Sequence, residues 1–151
     1  MANQDVAQQT LLEHGMLKHI TDALRAVLAW QVQAGGSARK LSSMRFITQS
    51  LQRHLNHLWE LEEHDGYMGV VTERIPRLGR QVDALRQEHD QFRQAVSRFV
   101  TRLERMSSAD ETGLGDLCGE MRALLDKLDE HSRKEVGLVQ EAFDWEEGGE
   151  G

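Results

Sequence analysis

Apolar residues recur at alternating intervals of three and four along most of the chain, the period of a helix with one face turned to a core. The clearest run passes through Leu114, Leu117, Met121, Leu124 and Leu128, takes in His131 and Glu135, and ends at Leu138. A second follows Val82, Leu85, His89, Phe92, Val96, Phe99 and Leu103, and a third follows Leu41, Met44, Leu51, Leu55, Leu58 and Glu62. Near the N-terminus His14 shares a stripe with Leu17, Leu24 and Leu28. Turn-forming residues interrupt the pattern at Gly35-Gly36-Ser37, from Asp65-Gly66-Tyr67 to Pro76, and at Ser107-Ser108-Ala109-Asp110. Three breaks predict four helices, near 5–33, 38–65, 75–105 and 110–142. Pro76 suits a first helical turn, where its missing N–H is no loss, and Ser108 with Glu111 has the spacing of a capping box. Short connections between long helices make neighbours antiparallel. The expected fold is therefore all-α, an up-down-up-down four-helix bundle over 1–143, followed by an acidic disordered tail over 144–151.

Composition reinforces this pattern and narrows the function. One proline in 151 residues, with Leu, Ala, Arg, Glu and Gln abundant, favours helix and leaves strands unexpected. The length is that of one domain with a real core. A net charge of −7 argues against a nucleic-acid backbone or an anionic membrane surface as partner, since both select for basic patches. Cys118 stands alone, so the chain builds neither an intrachain disulfide nor a thiolate cluster, and a cytoplasmic setting is expected. Neither an apolar leader at the N-terminus nor a membrane-spanning stretch of about 20 residues is read in the chain.

The polar residues within the seams carry the chemistry. His14 lies early in the first helix, Glu62 in the last turn of the second, His89 in the first half of the third, and His131 with Glu135 late in the fourth. In an alternating bundle these positions come to one level. A single histidine on a helix face is usually structural, but three histidines and two carboxylates meeting in an apolar core need a common partner, because unpaired buried ionisable groups are costly. Imidazole and carboxylate donors without thiolate suit iron, manganese or zinc.

These residues resemble those of haemerythrin-like, HHE cation-binding domains. The resemblance rests on Glu13-His14, on Glu62-Glu63 followed by Gly66-Tyr67, on Glu88-His89, and on His131 with Glu135 four residues later, and it covers nearly the whole chain. It implies non-haem iron, one or two ions, with His14, His89 and His131 as terminal ligands and Glu62 and Glu135 as bridging carboxylates. One expected ligand is missing: Leu58 stands where a second His-x-x-x-Glu should begin. His54 lies one turn earlier on roughly the same face, and His57 is rotated by about 100°, so that it reaches inward only through a π-bulge.

Plainer readings compete with these. Glu60, Glu62 and Glu63 form an acidic run of the kind that usually faces solvent. His19, His57 and His64 read as surface residues, Cys118 as a small apolar side chain, and Trp30, Trp59 and Trp145 as chemically silent. Tyr67 reads as packing over the bundle end or hydrogen-bonding near the site. No nucleophilic triad, glycine-rich phosphate loop or His-Glu-x-x-His helix occurs, so a hydrolase is not expected. The resemblance implies a protein that binds or senses O2, NO, peroxide or iron, with a metal ion and a small diatomic molecule as partners. The alternatives are a structural or interaction bundle with a metal-free site, and a metal-dependent oxidase or peroxidase.

Overall fold

The computed structural model describes residues 2–33 and 35–148. Its elements are α1 (Ala2–Leu28), α2 (Ser37–His64), a short α3 (Tyr67–Arg74), one 3₁₀ turn (Pro76–Leu78), α4 (Gly79–Arg105) and α5 (Glu111–Gly148). Among the described residues there is no strand, and no helix is long and apolar enough to cross a membrane. The four long helices form the bundle. α2 packs between α1 and α4, and α5 packs against α1 and α4 on the other side. The start of α2 meets the ends of α1 and α4, where Lys40 reaches Leu28 and Arg45 reaches Leu103, while the end of α2 meets His14 and His89. Arg25 and Arg102 tie α1 and α4 to Asp126 and Glu120 of α5. These contacts run as an alternating bundle requires.

The seams are buried as the periodicity predicts, with one drift. On α5 Leu125 is fully buried and Leu124 only partly, because a 3.6-residue turn slides off a strict three-four repeat over several turns. The apolar core is divided in two. The larger cluster runs from Leu17 to Leu28 on α1, through Leu58 and Trp59 on α2, and to Leu128 on α5. The smaller gathers Ala7, Val82, Leu85, Leu138 and Phe143 around α3. His14, Glu62, His89, His131 and Glu135 fall in the gap between them.

Three boundaries differ from the sequence expectation. α1 ends at Leu28 rather than near residue 33, because its last carbonyls are taken by side chains. Lys40 Nζ donates to Leu28 O at 2.9 Å and to Trp30 O at 2.8 Å, and Arg122 donates to Leu28 O at 2.7 Å. Gly35, at φ 89°, then turns the chain in the left-handed region that glycine tolerates. The segment read as a break before Pro76 contains α3, which covers the end of the bundle with Tyr67, Met68 and Val71; Pro76 opens the 3₁₀ turn, and α4 begins at Gly79 rather than near residue 75. The cap of α5 is Asp110, whose Oδ1 accepts from Gly113 N at 2.9 Å, rather than Ser108. A short carboxylate one residue before the helix reaches that third amide directly. The α5 backbone continues to Gly148. Residues 144–148 of the segment expected to be a disordered tail are thus helical in backbone, while side chains beyond Phe143 and all of residues 149–151 lie outside the described residues.

Replacing Lys40 by methionine keeps the alkyl stem and removes the buried ammonium from two carbonyls. The expected loss is about 2 kcal/mol of unfolding free energy, the scale of hydrogen bonds to a charged donor, read as a lower urea midpoint with an unchanged slope.

Candidate metal centre

Each helix delivers its polar side chain to the gap between the two clusters. His14 follows Thr10 on the buried stripe of α1, Glu62 closes the buried face of α2, His89 sits between Leu85 and Phe92 on α4, and His131 and Glu135 stand one turn apart on α5. All five are buried, and only His14, at 6 %, exceeds 2 % exposure. Their inner atoms converge. Glu135 Oε1 lies 2.7 Å from His131 Nε2, 3.2 Å from His89 Nε2 and 3.8 Å from His14 Nε2. Glu62 spans the same space, with Oε2 at 3.0 Å from His14 Nε2 and Oε1 at 3.6 Å from His89 Nε2. Two groups result that could hold a cation, His89 with His131 and Glu135, and His14 with Glu62 and Glu135. Glu135 belongs to both.

An outer ring fixes the imidazoles. His14 Nδ1 meets Ser132 Oγ at 2.6 Å, His89 Nδ1 meets Glu63 Oε1 at 2.8 Å, and His131 Nδ1 meets Glu88 Oε1 at 3.1 Å. Arg93 grips both oxygens of Glu63, at 3.3 and 3.0 Å, and Lys134 approaches Glu88 at 3.4 Å. With Nδ1 engaged outward, each Nε2 points inward, the arrangement that orients metal-ligating histidines and raises their basicity. Tyr67 donates its hydroxyl to Glu135 Oε2 at 2.5 Å. Trp59 lies flat on His89, with centroids 4.7 Å apart and planes 19° apart, and presents its edge to His131. Arg93 sits 5.5 Å from the Trp59 ring centroid.

The electrostatics are those of a site built for positive charge. Burial drives the Glu62 carboxyl well above the usual carboxylate range, and the neighbouring Glu135 drives it further. Burial acts on Glu135 in the same sense but is outweighed by His131 and His89, which hold it well below that range. Burial lowers His14, whereas on His131 burial is overcome by Glu135 and Glu88 and the pKa rises. The Tyr67 hydroxyl is pushed well up by burial and by the two carboxylates, so it stays a donor. Two inner atoms remain without a hydrogen-bond partner, Glu62 Oε1 and His131 Nε2. His131 Nε2 is near Glu135 but not aligned with it. Buried polar atoms left open in this way, one oxygen and one imidazole nitrogen facing a common space, fit a cation.

The five in-seam residues are brought together as the seams foretold. The other two candidates are not. α2 is regularly α-helical through residues 57–62, without a π-bulge, and His57 is exposed. His54 turns toward α1, where its Nε2 lies 3.1 Å from Glu13 O. Leu58 is fully buried in the larger apolar cluster. The acidic run divides: Glu62 is 1 % and Glu60 71 % exposed at the side chain, with Glu63 between. His19 and His64 lie at the surface, and Cys118 is buried with its Sγ 4.0 Å from Met44 Sδ. Sequence reading missed the roles of Glu63, Glu88, Ser132, Trp59 and Arg93. The signal for three of them was adjacency, since Glu63, Glu88 and Ser132 each flank a ligand candidate.

The model of the hemerythrin HHE cation binding domain matches residues 6–142. This chain belongs to that family. No curated protein and no solved structure matches it. Membership in this HHE family makes the chain a cation-binding domain, and the two His/Glu groups are where its residues could meet a cation.

Gly66 fixes this end of the HHE domain. A Cβ there would stand 2.6 Å from Leu61 O and 2.7 Å from Glu62 Cα, so no side chain fits between the end of α2 and the start of α3. Gly66→Ala must push α3 away, moving Tyr67 off Glu135 and shifting Glu62. The expected result is a fall in thermal midpoint of several degrees, the scale of a 1–3 kcal/mol backbone clash, together with altered tyrosine near-ultraviolet circular dichroism.

Proposed function

We propose that this HHE domain holds non-haem iron at the layer formed by His14, Glu62, His89, His131 and Glu135, and that it binds or senses O2, NO, peroxide or iron itself. The observation that carries the reading is the sharing of Glu135 between two inward-facing donor groups, with all three Nε2 atoms directed at the same space. A carboxylate common to two groups suits a pair of ions, and hard oxygen donors mixed with imidazole suit iron, with manganese and zinc as competitors. Iron there would supply open coordination positions and redox capacity for a small diatomic molecule. The chain's own contribution is to orient the three imidazoles through Ser132, Glu63 and Glu88, to exclude bulk water with Trp59, Phe92 and the α3 cover, and to hold Glu135 ionised.

Leu58 favours a second reading, a helical bundle that keeps the architecture without the metal. It removes one donor from the layer, and the remaining polar groups satisfy most of one another's hydrogen bonds. Elemental analysis after anaerobic iron loading separates the two. The proposal expects one to two irons per chain and a visible absorption that changes on exposure to O2 or NO, with His131→Ala losing most of the iron; absence of iron in the parent chain, or equal iron in the variant, overturns it.

Burial and the neighbouring Glu135 raise the Glu62 carboxyl well above the usual carboxylate range, so a cation binding there competes with its proton. Affinity should therefore rise with pH above the ordinary carboxylate range. Calorimetric binding heats should change with the ionisation enthalpy of the buffer, and heats independent of buffer would show that no proton leaves.

A further inference from the structure

The two donor groups are unequal, and the structure says in which direction. On α2, His54 contacts Glu13 of α1 and Trp59 stacks on His89 of α4. Leu58 is about 40° around the helix from His54 and about 100° from Trp59. The missing donor is thus on the α1 side, where His14 is the only imidazole of the donor group. The outer ring repeats the asymmetry. His89 and His131 are backed by carboxylates, which make an imidazole a stronger donor, whereas His14 is backed by the neutral hydroxyl of Ser132.

Access follows the same side. A groove of about 600 Å³ runs between α1 and α5, lined by Leu17 and Leu128 and also by His14 and Ser132. Gly15 and Gly137 line it, and a Cβ at either meets nothing within 4 Å. The two grooves beside Glu88, on the α4–α5 face, include none of the five inner residues. His14 is also the most exposed of the five.

Resting on the cation-binding reading above, we propose that the layer is entered from the α1–α5 groove, and that a cation on the His14 side exchanges with solution while one on the His89–His131 side is retained. Three groups of observations support this independently: the position of Leu58, the neutral backing of His14, and the groove that His14 lines. The exchangeable position is the one through which the protein would equilibrate with the free cation pool.

The test uses the full chain loaded with Co²⁺ or Zn²⁺, with release to an excess chromogenic chelator followed by stopped flow. Two phases of similar amplitude are expected, the faster one absent in His14→Ala. Gly15→Leu and Gly15→Met fill the groove while placing a better helix former at an exposed helical position, at a residue that lines neither α4–α5 groove. Each should slow the fast phase about tenfold or more and leave the slow phase unchanged, with circular dichroism confirming the fold. Leu58→His supplies the missing donor without touching the groove and should convert the fast phase into a slow one. One release rate for both ions, equal slowing of both phases by the groove variants, or a fast phase indifferent to all of these changes overturns the proposal. So does a parent chain that binds a single ion and keeps it unchanged in His14→Ala. Failure of the parent chain to bind either cation would instead remove the cation-binding reading on which it rests.

Discussion

The structure depends on one constraint: five ionisable side chains occupy a buried layer between two apolar clusters. Below them lie Leu17, Leu58 and Leu128, and above them Ala7, Leu85 and Leu138. Little of their charge meets water, so it must be answered mostly within the layer or by a bound cation. The answer within the layer is nearly complete. Glu135 stays ionised through His131 and His89, the Glu62 carboxyl is raised well above the usual carboxylate range, and the outer nitrogens are taken by Ser132, Glu63 and Glu88. What is left over, Glu62 Oε1 and His131 Nε2, faces inward. The polar network of an isolated bundle would be expected to close on itself; within the five-residue layer this one leaves open one carboxylate oxygen and one imidazole nitrogen, the donors a cation would take.

α3 belongs to the same constraint. Without Tyr67, Met68 and Val71 the smaller cluster would be open at the bundle end, and Glu135 would face solvent rather than the Tyr67 hydroxyl. Gly66 lets the chain turn tightly enough over Glu62 to bring that cover into place. The close approach of α2 and α3 is therefore a requirement of the layer, and the Gly66-Tyr67 pair is its sequence trace.

Much of this was legible in the sequence, for a definite reason. His14, Glu62, His89, His131 and Glu135 interrupt apolar stripes, and a charged group in such a stripe is buried by the helix that carries it, whatever its neighbours do. Leu58 was legible in the same way, as an apolar residue where the family resemblance implies a donor. The residues that escaped depend on the distance between helices rather than on the period along one. Trp59 looked silent because its partner, His89, is 30 positions away and meets it only across the α2–α4 contact. α3 escaped because eight residues flanked by Gly66 and Pro76, with Gly69 inside, carry almost no local helical preference, and its form comes from the cluster it covers. The end of α1 was overrun because Lys40 and Arg122, far along the chain, claim the carbonyls that would otherwise continue it.

The layer also sets the register of the bundle. Sliding α5 by one turn moves Glu135 about 5.4 Å along the axis, which parts it from His89, His14 and Tyr67 at once. A similar slip of α4 separates His89 from Glu63 and Glu88 from His131. Leucine-on-leucine seams tolerate such slips far better, since one apolar contact replaces another. Register fixed by mutual hydrogen bonds requires no ion, because the protein's own contacts hold the donors in place. A preformed donor set of this kind lowers the cost of ordering ligands on binding, and it places the burden of metal retention on the donors themselves. On the His89–His131 side those donors are two carboxylate-backed imidazoles, whereas on the other side Leu58 leaves His14 as the only imidazole of the donor group.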